Sequence, residues 1–239
     1  MKKIAIALSV LYVAGTSCAT GKQIIDVTND DALVDASTFI ARLTNIPERK
    51  LPLEQEVKEF IEGPLADEFL LAAYGNMKGM EKSEDVANVL QLWGCTSTQS
   101  SEPLEINKNF GIKYPLTCKS MVRSTILTMI EKDIQNKAAE QVKKLSQKEL
   151  DAFYKIRNKE QWREGWLNDQ NITPEDEMNA VKLIGLKAYE ESIAENILKA
   201  REKKKLIQEA KKHFEVHFDP SLAKTLANEI RESRTKYAR

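Results

Sequence analysis

From 119 to 145 the apolar residues fall at three- and four-residue intervals. Met121, Val122, Ile126, Met129, Ile130 and Ile134 lie along one side of a helix and along neither side of a strand. The interval returns from 174 to about 218, where Met178, Val181, Ile184, Ala188, Tyr189, Ile193, Ile197 and Leu198 make a stripe. That stripe fades between Lys199 and Lys205 and resumes at Leu206, Ile207, Ala210 and Phe214. Helices this long bury their apolar side only against other helices or themselves. Glycine and proline are too few (9 and 7 in 239 residues) to punctuate many short strands. The expected fold is all-α: an irregular helical bundle with a long C-terminal helix, which extends past the body or folds back along it as a helical hairpin.

Start and stop signals divide the rest. An extended segment is expected over 23–27, then a helix over 31–43 capped by Asn29 or Asp30. Short helices follow over 53–61 and 65–74, separated by Gly63-Pro64, with Gly75 as a terminator. Ser83 caps a helix that Gly94 closes. Ser146-Gln147-Lys148-Glu149 is a capping box, so a new helix begins there. Thr173-Pro174-Glu175 opens the long segment, and Asp219-Pro220 restarts the chain into a final helix through Leu222, Leu226 and Ile230.

The first residues carry a different message. Lys2 and Lys3 precede an uncharged run over 4–14, and Gly15-Thr16-Ser17-Cys18-Ala19 is small. This is the layout of a secretory signal, expected to be cut before Thr20, giving a signal peptide over 1–19. The run is shorter than the roughly 20 apolar residues a membrane crossing needs. No transmembrane span is therefore expected after signal removal. Lipid attachment through Cys18 is the alternative route. Export places Cys95 and Cys118 in an oxidising compartment, where a disulfide closing the loop 96–117 is expected. Such a bridge stabilises a fold by roughly 3 kcal/mol.

Charge divides the mature chain into an acidic region, 20–118, and a basic one, 119–239, expected to form one continuous domain. The first holds nine Lys and Arg against sixteen Asp and Glu, a net of −7; the second holds twenty-five against twenty, a net of +5. Neither balance suits nucleic-acid binding. It fits contact between the halves, or a basic partner on the first.

Candidate sites are few. Trp162 and Trp166, with Phe153 and Tyr154, form an aromatic group that either lines a ligand or interface groove or plugs the space between helices. His213 and His217 are the only histidines, one helical turn apart if the helix continues, and form a weak metal candidate. The chain has no phosphate-binding loop, no nucleophile elbow and no paired-glycine fingerprint, so no cofactor and no catalytic residue are assigned. The expected function is non-catalytic: helix-mediated contact with a protein partner in the cell envelope or outside it. An accessory of a secretion or conjugation apparatus is one concrete form. A periplasmic binding module for an apolar or peptide ligand is the alternative, and a carboxylate-dependent hydrolase a further one.

Overall fold

Helix dominates the computed structural model, which describes residues 21–45, 52–105, 113–157 and 174–237. Strand β1 (Gln23–Val27) leads into α1 (Asn29–Asp35) and α2 (Ser37–Asn45). Helix α3 (Leu53–Phe60) passes through a π-turn (Ile61–Leu65) into α4 (Ala66–Met77). Next come a 3-10 turn (Met80–Lys82), α5 (Glu84–Leu92), the long α6 (Cys118–Val142) and α7 (Gln147–Ile156). Helices α8 (Pro174–Ile184) and α9 (Leu186–His213), strand β2 (Phe214–Phe218) and α10 (Leu222–Tyr237) complete the order. Residues 1–19, expected as a signal peptide and including Cys18, the tryptophans Trp162 and Trp166, and Thr173 lie outside the described residues.

Several boundaries follow the expected punctuation. The Ser83 hydroxyl accepts the Val86 N–H at 3.3 Å, and Gly94 closes α5 at φ 65°. Ser146 and Glu149 form the reciprocal capping box that opens α7. Cys95 and Cys118 form a disulfide-distance pair, with Cα atoms 5.8 Å apart.

Other boundaries differ, each for a local reason. The first helix is capped by Thr28, whose hydroxyl accepts the Asp31 N–H, and it divides at Ala36. Gly63-Pro64 does not break the helical path. Pro64 has no N–H to offer the Phe60 carbonyl, and the backbone widens so that Ala66 N–H reaches Ile61, five residues back. Gly75 does not end α4. It lies buried inside the helix, where a Cβ would overlap Ile126 Cγ2 and crowd Ile130 Cδ1 at 3.3 Å, so its smallness lets α6 approach. The helix expected from 174 to 218 is interrupted twice. Gly185, at φ 86°, separates α8 from α9, and α9 stops at His213.

Beyond His213 the chain turns into strand. Phe214, Val216 and Phe218 alternate with Glu215 and His217, a two-residue period that a helix cannot bury on one side. β2 pairs with β1 in a parallel ladder, Gln23 opposite Phe214 and Val27 opposite Phe218. This two-stranded sheet is an addition to the helical fold, and it ties the first described residues to nearly the last.

Three apolar clusters mark the base, middle and tip of the fold. At the base, α1, α2 and α3 enclose α10. Ala32, Phe39, Ile40, Val57 and Phe60 pack against Leu222, Leu226 and Ile230, all buried. Phe39 and Phe60 stack with ring centroids 3.8 Å apart. In the middle, Leu71, Val86, Val122, Ile126, Ile130 and Ile134 gather α4, α5 and α6, and Leu206 and Ile207 of α9 close the layer. At the tip, Tyr189, Ile193 and Ile197 of α9 meet Phe153, Tyr154 and Ile156 of α7 and Val181 of α8. The faded stripe around Lys203 marks where α9 passes from the tip cluster to α6. There Lys203 lies 3.9 Å from Glu131 of α6. Helices α6 and α9 are thus antiparallel, the folded-back alternative of the expected hairpin.

Candidate functional site

Two places in this frame depart from ordinary packing: a buried charged seam between base and middle, and an apolar ridge at the tip.

The seam arises from two matched spacings. Asp31 and Asp35 stand four apart on α1; Lys119 and Arg123 stand four apart on α6. At that spacing each pair shares one helix side, so two acids face two bases. Lys119 Nζ lies 2.7 Å from Asp31 Oδ2, and Arg123 Nε donates to Asp35 Oδ2 at 2.6 Å. Arg123 also donates to the Asp31 carbonyl at 3.3 Å and lies over the Phe69 ring at 4.4 Å. Its side chain is only 7% exposed, so the partners are what make its burial tolerable. These bonds join the acidic region to the basic one, as does Lys211 with Asp67 at 3.2 Å.

Two carboxyls around the seam hold their protons more tightly than usual. Burial raises the Asp35 carboxyl above its ordinary range, against the opposing pull of Arg123. Glu68, on α4, is pushed up to about 7, by burial first and then by the negative Asp35; Lys203 and Arg123 act the other way, and Glu131 adds to the rise. Asp35 is bound to Arg123, which makes the seam a clasp between helices rather than a free acid–base pair.

At the tip, Phe153 and Tyr154 occupy the side of α7 that meets α9. Both are half-buried. The Tyr154 ring stands edge-on to buried Tyr189 at 6.4 Å; Arg157 covers Tyr154 at 3.8 Å, and Arg201 lies over Phe153 at 5.3 Å. Gln147 ties α7 to α9 by donating to Glu190 at 2.7 Å. These two aromatics therefore pack between helices with arginines over them.

The apolar surface lies beside them instead, where α8 meets α9. Met178 is 50% exposed, Leu183 85%, Ile184 49% and Leu186 53%. Gly185, at φ 86°, breaks the helix here, with Leu183 and Ile184 at the end of α8 and Leu186 at the start of α9. In one continuous helix Ile184 would stand one turn from Ala188 on the expected stripe, and the break at Gly185 separates the two. The glycine inside the periodic stretch was the available signal.

The histidines are not one helical turn apart. His213 ends α9, while His217 sits on the outer side of β2 with Nε2 3.2 Å from Glu215 Oε1. The helical premise of the metal candidate is thus corrected by the strand. Among the described residues no three His, Cys, Asp or Glu side chains converge as metal ligands. No helix of the described residues is long and apolar enough to cross a membrane. Comparison with protein-family models, with curated proteins and with solved structures finds no match for this chain.

Proposed function

We propose that this is an exported protein that works by contact with another protein of the cell envelope, made through the tip of the α6–α9 hairpin. The observation that carries this reading is the group Met178, Leu183, Ile184 and Leu186 around the α8–α9 junction, each about half exposed or more. Apolar residues grouped on a surface signal an interface more often than an accident of packing. Removing such a ridge from water contributes roughly 25 cal/mol for each Å² of apolar area covered.

Export is supported by the tripartite layout of 1–19 and by Cys95 and Cys118 at disulfide distance, which suits an oxidising compartment. The partner is a protein with an apolar groove or helix face of its own, as in helix-in-groove recognition. A component of a secretion or conjugation apparatus is one form it takes.

The test is site-specific photocrosslinking in the cells that make the protein. A photoreactive residue at Leu183 should give one recurring adduct with an envelope protein, and the same residue at Lys224, on the base, should not. Equal adducts from both positions, or none from Leu183, would remove the tip as the contact.

A further inference from the structure

We propose that the free edge of β1 is a docking edge for a second copy of this chain, joining two sheets into one through antiparallel pairing centred on Ile24.

The ladder determines which backbone groups are available. Val27 accepts the Asp219 N–H at 3.2 Å, so Val27 turns its polar backbone toward β2. By the two-residue period of a strand, Ile25 and Gln23 do the same. Ile24 and Asp26 turn their N–H and C=O groups the opposite way, and Lys22 follows their parity. Among the described residues nothing pairs with that side: the sheet has two strands, in the order β1-β2. An edge left in this state is a template for another strand.

Side chains on the strand then select the occupant. Ile25 and Val27 face inward, the first half-buried and the second buried, so Lys22, Ile24 and Asp26 share the outer side. Ile24 is 53% exposed. Among the described residues neither Lys22 nor Asp26 forms an ion pair. When a second β1 lies antiparallel with Ile24 opposite its own copy, Lys22 falls opposite Asp26 of the other chain, and the reverse. Residues 22, 24 and 26 are also the three whose backbone groups aim outward, so backbone and side chains agree on one register. Parallel in-register pairing would set lysine on lysine and aspartate on aspartate, which is unfavourable. The edge is therefore self-complementary, as a two-fold interface requires.

A strand of this length covers less than the roughly 800 Å² per partner of a standard stable interface. The dimer is accordingly concentration-dependent and dissociates on dilution.

The experiment uses the purified protein from Thr20 onward, the exported form proposed above, which lacks Cys18 and keeps Cys95 and Cys118 at disulfide distance. In a hydrogen-bonded antiparallel pair the opposed Cα atoms lie about 5.5 Å apart, within disulfide reach. Ile24→Cys should therefore crosslink to its own copy under mild oxidation. Asp26→Cys, four positions out of register from its copy, should not. In sedimentation, Asp26→Lys should weaken dimerisation about tenfold, by opposing lysines across the edge. Lys22→Asp combined with Asp26→Lys should restore it, with the helical circular dichroism unchanged throughout. A monomer at every concentration, crosslinking equal at both positions, or a charge reversal without effect and without rescue would each overturn the proposal.

Discussion

The base and the tip of this molecule are built from the same kind of helix but hold it differently. At the base, α10 is enclosed by helices from the other end of the chain, and Leu222, Leu226 and Ile230 are at most 1% exposed. Arg234 reaches across to the Leu43 carbonyl with two bonds of 3.1 and 2.9 Å. At the tip, a core of Tyr189, Ile193 and Ile197 is lined by half-buried aromatics, while Leu183 stands 85% in water. The difference separates two states of apolar surface: the base uses it for cohesion, and the tip leaves part of it in water, where the proposed partner would cover it. Substitutions at the base should cost stability, and substitutions on the ridge should cost binding.

The largest effect should come from the seam that clamps the base to α6. Arg123→Ala leaves Asp31 and Asp35 facing each other without their buried cation, and should lower unfolding free energy by about 4 kcal/mol in denaturant titration. Within the base, Leu226→Ala should cost about 3 kcal/mol, because a fully buried leucine leaves a cavity its helices cannot fill. An equal loss from Leu183→Ala would erase the contrast between the two ends. Reduction of Cys95 and Cys118 should destabilise by about 3 kcal/mol in the same titration, since it frees the loop 96–117 in the unfolded chain.

Glu68 sharpens the comparison by pH. Its folded affinity for a proton lies near 7, against 4.5 for the free side chain, so between those values the folded state keeps a proton the unfolded state has lost. Stability should therefore fall as pH rises through that window and level off above it, by about 2 kcal/mol after allowance for partial solvation. Glu68→Gln, neutral throughout, should flatten this slope and be the more stable form at pH 8. A thermal-melting series with equal slopes for both proteins would refute the assignment. The smallest stability effect belongs to Leu183→Ser, below about 0.5 kcal/mol, because the side chain is already in water. The same change should abolish the partner adduct given by a photoreactive residue placed at Leu186, three residues along the tip.

How much of this was legible in the sequence depends on the range of the interaction. Ser83, Ser146 with Glu149, Gly94 and the apolar interval of α6 act within a few residues, and all could be read directly. The disulfide-distance pair was legible from Cys95 and Cys118, the two cysteines beyond the expected signal segment. The β1–β2 ladder was not, because its strands are joined by no turn, and Phe214-Glu215-Val216-His217-Phe218 follows a helix without a break. Its alternation of Phe, Val and Phe was the signal, but five residues are too few to outweigh the preceding helical stripe. The seam was half legible. Asp31/Asp35 and Lys119/Arg123 both repeat at four, yet nothing local says that α1 meets α6. Gly75 was misread because a buried glycine inside a helix and a terminating one look the same until the neighbouring helix is in place.

The parallel ladder also has a consequence in time. Parallel strands need a crossover between them, and here that crossover is almost the whole folded chain. Strand β1 is made well before its partner β2, with most of the described helices between them. Until then Phe39, Val57 and Phe60 also lack Leu226 and Ile230, the residues that shield them. Contacts so distant in sequence close slowly, and the base stays loose until α10 joins it. Removing α10 therefore takes away more than a helix: it takes away the step that completes folding.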